Sequence, residues 1–290
     1  MIRYRTPLQF IESEIRVVNP DWLRDARRRT ARFRSIRTYR EKKPTWSTVK
    51  PVYMAIQQAK CAYCERTLES NARGKIEWDV EHYRPKKGVE EWPDAQSTKK
   101  NSYKFPTGRK SDKGYYLLAY NLINFIGSCK VCNSSYKRNY FPIGASRRSL
   151  SATSPKLLLR ERPFIPYPLG TFDDDPETLL TFCGFVCVPA IGKGHRRNRA
   201  LITIELLGLN DRDILIEQRA QLIVSTWAML ERLRVAPHDP LANNWIQRVT
   251  SAQSNHTNCA RSFVAEYHRD RALARVYVGK ADRYLASKAS

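Results

Sequence analysis

A chain of 290 residues, 42% of them hydrophobic, can bury one large core or two modest ones, and it holds no apolar run long enough to cross a bilayer. Its 51 Lys and Arg against 28 Asp and Glu leave a formal charge of +23, which favours a polyanionic partner, nucleic acid first. The opening MIRYRTPLQFIESEIRVV lacks the apolar segment and small-residue cleavage site of a secretory signal, so a cytoplasmic protein with no membrane association is expected.

Residues 1–46 read as a basic helical arm. Ten of the twenty residues from Arg24 to Lys43 are basic. Trp22, Leu23, Ala26, Phe33, Ile36 and Tyr39 form an intermittent apolar stripe among them. Two readings stand: a solvated helix face, or an arm that tracks phosphates through residues such as Arg28 and Arg32 or docks a partner. A short helix is expected from PTWSTVKPVYMAIQQAK, with Ser47 or Thr48 near its start and Pro51 in its first turn. Residues 85–114 are polar, basic and broken by Pro and Gly, which predicts a long loop. GYYLLAYNLINFIGSC should be core, and KVCNSSYKRNYF a short helix ending before Pro142.

Beyond residue 150 a Pro-rich connection leads to TLLTFCGFVCVPA, a predicted hairpin about Gly184. Two helices follow, the first stopped at Gly208 and the second capped by Asn210 with Asp213 in its first turn. The remainder reads as mostly helical. His195 lies in a basic loop, and the GKG beside it lacks the frame of a phosphate-binding loop, so any ATP chemistry must come from a partner.

Seven cysteines without a secretory signal argue against a disulfide framework. Cys61 and Cys64 form one C-x-x-C, Cys129 and Cys132 another. Two such knuckles complete a closed four-sulfur site of the kind that holds structural Zn²⁺. Cys183, Cys187 and Cys259 read as buried packing residues.

Glu81 and His82 are adjacent, Asn124 lies five residues before Cys129, Asn133 follows Cys132, and Lys137 is one helical turn further on. With the paired cysteines, this order resembles the HNH (ββα-metal) endonucleases. Within them CAYCE, VEHYRPK, YNLINF and SCKVCNSSYKRNYFP look most like the anti-phage effectors of the PtuB type, which work beside an ATPase in Septu and some retron systems. The detailed likeness covers about residues 46–145, runs more loosely to about 235, and does not reach the first forty residues.

The resemblance implies an α+β fold. A zinc-stapled ββα-metal core would occupy 47–145, with the basic arm at 1–46 and a mainly helical C-terminal region at 146–290, short strands first. It implies a metal-dependent nuclease, with His82 as base and Asn124 orienting it. Glu81 and Asn133 would hold a catalytic Mg²⁺ or Mn²⁺, with Asp79 as a possible further ligand because Glu81 stands where the family more often has Asp. Arg84, Lys86 and Lys137 would contact phosphate. DNA is favoured, and a PtuA-like ATPase is the expected partner. Two alternatives remain open: a non-catalytic zinc-dependent nucleic-acid adaptor, and an RNA (tRNA) nuclease using the same site.

Overall fold

The computed structural model describes residues 1–68, 77–94, 103–147 and 152–289. Part of the long 85–114 segment, 95–102, lies outside the described residues. Helices and two small antiparallel sheets make the fold α+β. The chain divides into two compact units, Arg3–Ala62 with Leu68–Asp175, and Met1–Ile2 with Tyr63–Thr67 and Pro176–Ser290. This division does not follow the boundaries expected at 46 and 145, because the N-terminal helices pack on the strands of the same unit.

In the first of these units α1 (Leu8–Val18) buries Ile11 and Ile15, one turn apart on one face. Helix α2 (Trp22–Ile36) buries Trp22, Leu23, Ala26 and Phe33 and leaves Ile36 exposed. Trp22 meets Tyr120 and Phe125 with ring centroids 5.9 and 6.1 Å apart, and Phe33 stacks on Tyr120 at 6.2 Å. The expected arm is thus a packed helix whose outer face carries the basic residues. A single turn at Trp46–Val49 leads into α3 (Lys50–Ile56), with Pro51 in its first turn. That helix stops before the expected QAK, because Gln58 and Ala59 take positive φ.

Strands β1 (Trp78–His82) and β2 (Phe125–Cys129) pair antiparallel, with Trp78 opposite Cys129 and His82 opposite Phe125. Gly127 is required here: a Cβ on it would stand 2.5 Å from the Trp78 ring. The Gln57 side chain closes β2 like an extra strand residue, accepting from Gly127 N at 2.7 Å and donating to Gly127 O at 2.8 Å. After β2 comes a wide helical segment, Val131–Lys137, whose end is marked by Arg138 N–H reaching back five residues to Asn133 O at 2.7 Å. Such widened turns recur at functional sites. A short helix α4 (Pro155–Leu159) completes the unit.

The second unit carries the hairpin β3 (Leu180–Cys183) and β4 (Val186–Pro189). Gly184 turns it at φ 63, with Tyr277 Cβ only 3.0 Å from where a side chain would begin. Five helices follow: α5 (Gly194–Leu206), α6 (Asp213–Val235), α7 (Pro240–Thr250), α8 (Thr257–Arg269) and α9 (Arg271–Ala289). Two expectations change here. Asn210 does not cap α6; its side chain accepts from Cys187 N at 2.9 Å and donates to Cys187 O at 2.8 Å, pinning β4. Cys183 is exposed, because strand alternation turns it outward, while Cys187 and Cys259 are buried as expected. No described helix is long and apolar enough to cross a membrane.

Candidate functional site

Two neighbouring features meet on the β1–β2 pair: a cluster of cysteines and an open cleft. The ligand atoms of Cys61, Cys64, Cys129 and Cys132 all lie within 4.8 Å of one another, and the four are buried. Cys132 N–H donates to Cys129 Sγ at 3.4 Å, the backbone-to-sulfur contact that a C-x-x-C turn makes possible. Ala62 N–H to Gly127 O, 3.0 Å, ties the first knuckle to β2 beside the second. Four buried sulfurs at this separation can hold a structural zinc. Among the described residues no other group of three or more His, Cys, Asp or Glu is close enough to hold an ion.

The cleft, about 780 Å³, is lined by the whole of β1 together with Trp46, Lys50, Lys86, Asn133 and Arg138, among others. His82 is buried in its wall. Its Nε2 lies 3.0 Å from the Ala119 carbonyl. A carbonyl oxygen only accepts, so Nε2 carries the proton and Nδ1 is left as the nitrogen that can take one. Trp46 and Phe125 stand edge-on to the ring, at 4.8 and 5.1 Å. Burial pushes the imidazole well below its ordinary range, and the Lys86 and Lys137 charges push the same way. The ring is therefore held in its neutral form, with Nδ1 as the nitrogen that carries the lone pair.

The neighbouring acids face a different side of β1. Glu81 is buried and ion-paired with Lys137, itself fully buried, which also donates to His82 O at 3.2 Å. Burial raises the Glu81 carboxyl, and Lys137 opposes the rise. Glu81 Oε1 is the carboxylate oxygen that meets the Lys137 ammonium. Asp79, two residues earlier, accepts from Asn133 Nδ2 at 2.9 Å. Lys86 is half-buried, with Nζ 3.4 Å from His82 Nδ1 and 4.5 Å over the Trp46 ring. Burial lowers its pKa, and Glu81 opposes this.

The structure thus brings Asp79, Glu81, His82, Lys86 and Asn133 to one cleft and places the other predicted residues elsewhere. The side-chain hydrogen bonds of Asn124 go to the backbone of Arg84 and Leu118. Its Oδ1 accepts from Arg84 N at 2.8 Å, and its Nδ2 donates to Arg84 O at 3.0 Å and to Leu118 O at 3.1 Å. It clamps the chain next to Ala119, whose carbonyl orients the imidazole. Arg84 is buried, pairs with Glu161 at 2.5 Å and lies 4.5 Å over the Phe141 ring, so it is withdrawn from any phosphate. Lys137 is withdrawn in the same way by Glu81. Arg28 and Arg32 stay exposed on α2, with Arg28 paired to Asp25 at 3.1 Å. Trp46, Lys50 and Arg138 were missed. Trp46 carried the one readable signal, an aromatic residue at the end of the basic segment.

No family model matches the chain, and no solved structure matches it. Over 135 residues it is 31% identical to Septu protein PtuB of Bacillus mycoides (strain KBAB4). That stretch is 47% of this chain and 38% of the relative, so the chain matches well under half the length of the protein it is similar to.

Proposed function

We propose that the chain is a metal-dependent HNH-type endonuclease that hydrolyses phosphodiester bonds, with DNA as the favoured substrate. The observation that carries this reading is His82: one ring nitrogen is committed to Ala119 O and the other faces a cleft that also holds Asp79, Glu81 and Asn133. A neutral imidazole in that setting takes the proton of an attacking water. The antiparallel strand pair followed by a helical segment supports the ββα reading, and the four cysteines support a zinc staple beneath it.

The residues fit a hard divalent ion. Glu81 and Asp79 line the cleft as carboxylates and Asn133 as an amide, the kind of hard oxygen set that Mg²⁺ or Mn²⁺ prefers, although Lys137 already pairs with Glu81 Oε1. When bound, such an ion would neutralise charge on the leaving oxygen. Glu81 or Asp79, with Asn133, would hold it. His82 would remove the proton, and Lys86 would draw the phosphate in.

Cleavage of plasmid and of RNA should require Mg²⁺ or Mn²⁺, stop in EDTA, and disappear in His82→Ala with fold and zinc content intact. Wild-type activity in that variant would overturn the assignment. The non-catalytic adaptor reading predicts binding with no metal-dependent cutting in any arm. Likeness to a Septu protein supports a role in anti-phage defence beside an ATPase, so the assay includes the co-purified partner.

A further inference from the structure

Lys86 occupies the place where the reaction would begin. Its ammonium lies 3.4 Å from His82 Nδ1, the nitrogen left with a lone pair once Nε2 is bound to Ala119 O. An imidazole nitrogen accepting a bond from an ammonium has no lone pair for a water. The lysine is held there from outside the strand: its Nζ lies 4.5 Å over Trp46 and 5.7 Å over Tyr39. Trp46 also stands edge-on to His82, so one aromatic wall fixes both members of the contact.

We propose that Lys86 is a phosphate-released cap on His82, a specificity-determining residue that frees the base only when an anionic diester enters the cleft. This rests on the nuclease reading of the site and names how that site selects its substrate. A phosphate oxygen is a charged acceptor and bonds an ammonium more strongly than a neutral ring nitrogen does. The flexible four-carbon stem lets Nζ swing to the phosphate while its methylenes stay on Trp46. Binding of the anion and exposure of Nδ1 are then one event. A neutral molecule in the cleft leaves the base capped.

The test uses full-length, zinc-replete protein with ¹⁵N-labelled histidine, His82 being assigned through His82→Gln. The probe is dimethyl phosphate, a diester with neither base nor sugar. In wild type the His82 Nδ1 resonance should lie at the hydrogen-bonded position and move towards the free-lone-pair position as dimethyl phosphate saturates the cleft. In Lys86→Met, which keeps the stem, the resonance should start at the free position and stay there. An Nδ1 resonance unchanged by Lys86→Met overturns the proposal, and so does a wild-type resonance unmoved at saturation; Lys86→Ala serves if the methionine variant does not fold. In cleavage assays Lys86→Met should raise KM about tenfold with kcat within about threefold, the sign of lost ground-state binding. A fall in kcat at unchanged KM also counts against it. If wild type with its co-purified partner cleaves nothing, the nuclease reading fails, and the resonance experiment still decides the cap.

Discussion

At the scale of single residues, one buried acid and its lysine hold the end of β1. Glu81 and Lys137 are both buried, and each is the other's charge partner. Removing one member strands the other charge away from water, which typically costs about 3–5 kcal/mol, whereas removing both is far milder. Lys137→Met should therefore lose about that much stability in denaturant unfolding, and adding Glu81→Gln should recover a large part. An additive double variant would show that the pair is not coupled. Lys137 and Arg84 read as phosphate contacts in the sequence because both lie near His82 in a basic stretch. Their counter-ions decide otherwise, and Glu161, the partner of Arg84, is distant in sequence. Only the folded chain brings that acid to it.

At the scale of elements, the two C-x-x-C turns are the most local feature of the chain and the most readable. Each pair is set by a spacing of three, and β2 leads directly into the second pair. If zinc joins them, Cys61→Ser should lower zinc content measured by mass spectrometry and lower the unfolding midpoint, because a metal bound only by the folded form adds its binding energy to stability. A fully folded, zinc-free variant with an unchanged midpoint would remove the staple from the account. Helix α2 was legible as a stripe but not as a packed wall, because the stripe does not name Tyr120 and Phe125 as its partners. Among the C-terminal helices, Glu231 on α6 bonds Arg271 on α9 at 2.5 Å and Tyr267 on α8 at 2.7 Å. The Arg271 hydrogen bond and charge hold its carboxyl at about 2, below the ordinary 4.5. A depressed carboxyl contributes stability above its unfolded value and loses it as pH falls through the folded one. The stability gap between wild type and Glu231→Gln should thus be full above about pH 4.5 and close towards about pH 2. A gap unchanged across that range would refute the role.

At the scale of the whole molecule, the formal charge of +23 sets long-range attraction rather than fold. Arg28 and Arg32 lie on the outer face of α2, whose inner face is buried, so deleting the arm would damage the unit. Charge reversal is the cleaner test. Arg28→Glu with Arg32→Glu should weaken nucleic-acid binding and reduce the slope of log K against log salt by about one per lost phosphate contact. An unchanged slope would make this face a solvated surface, the blander of the two readings.

The sequence alone determined what depends on short spacing and composition: the paired cysteines, the acid next to His82, an Asn after the second knuckle, the α+β content and the basic charge. These are visible because they lie within a few residues of one another or sum over the chain. Tertiary structure alone decided which groups have partners. It gave His82 its tautomer through Ala119 O, turned Asn124 into a clamp on Arg84 and Leu118, and buried Arg84 and Lys137 against acids. It also set Trp46 edge-on to the imidazole and Lys86 at its Nδ1. The reason is physical: burial and counter-charge are properties of side chains that meet across the fold, and spacing along the chain does not record them.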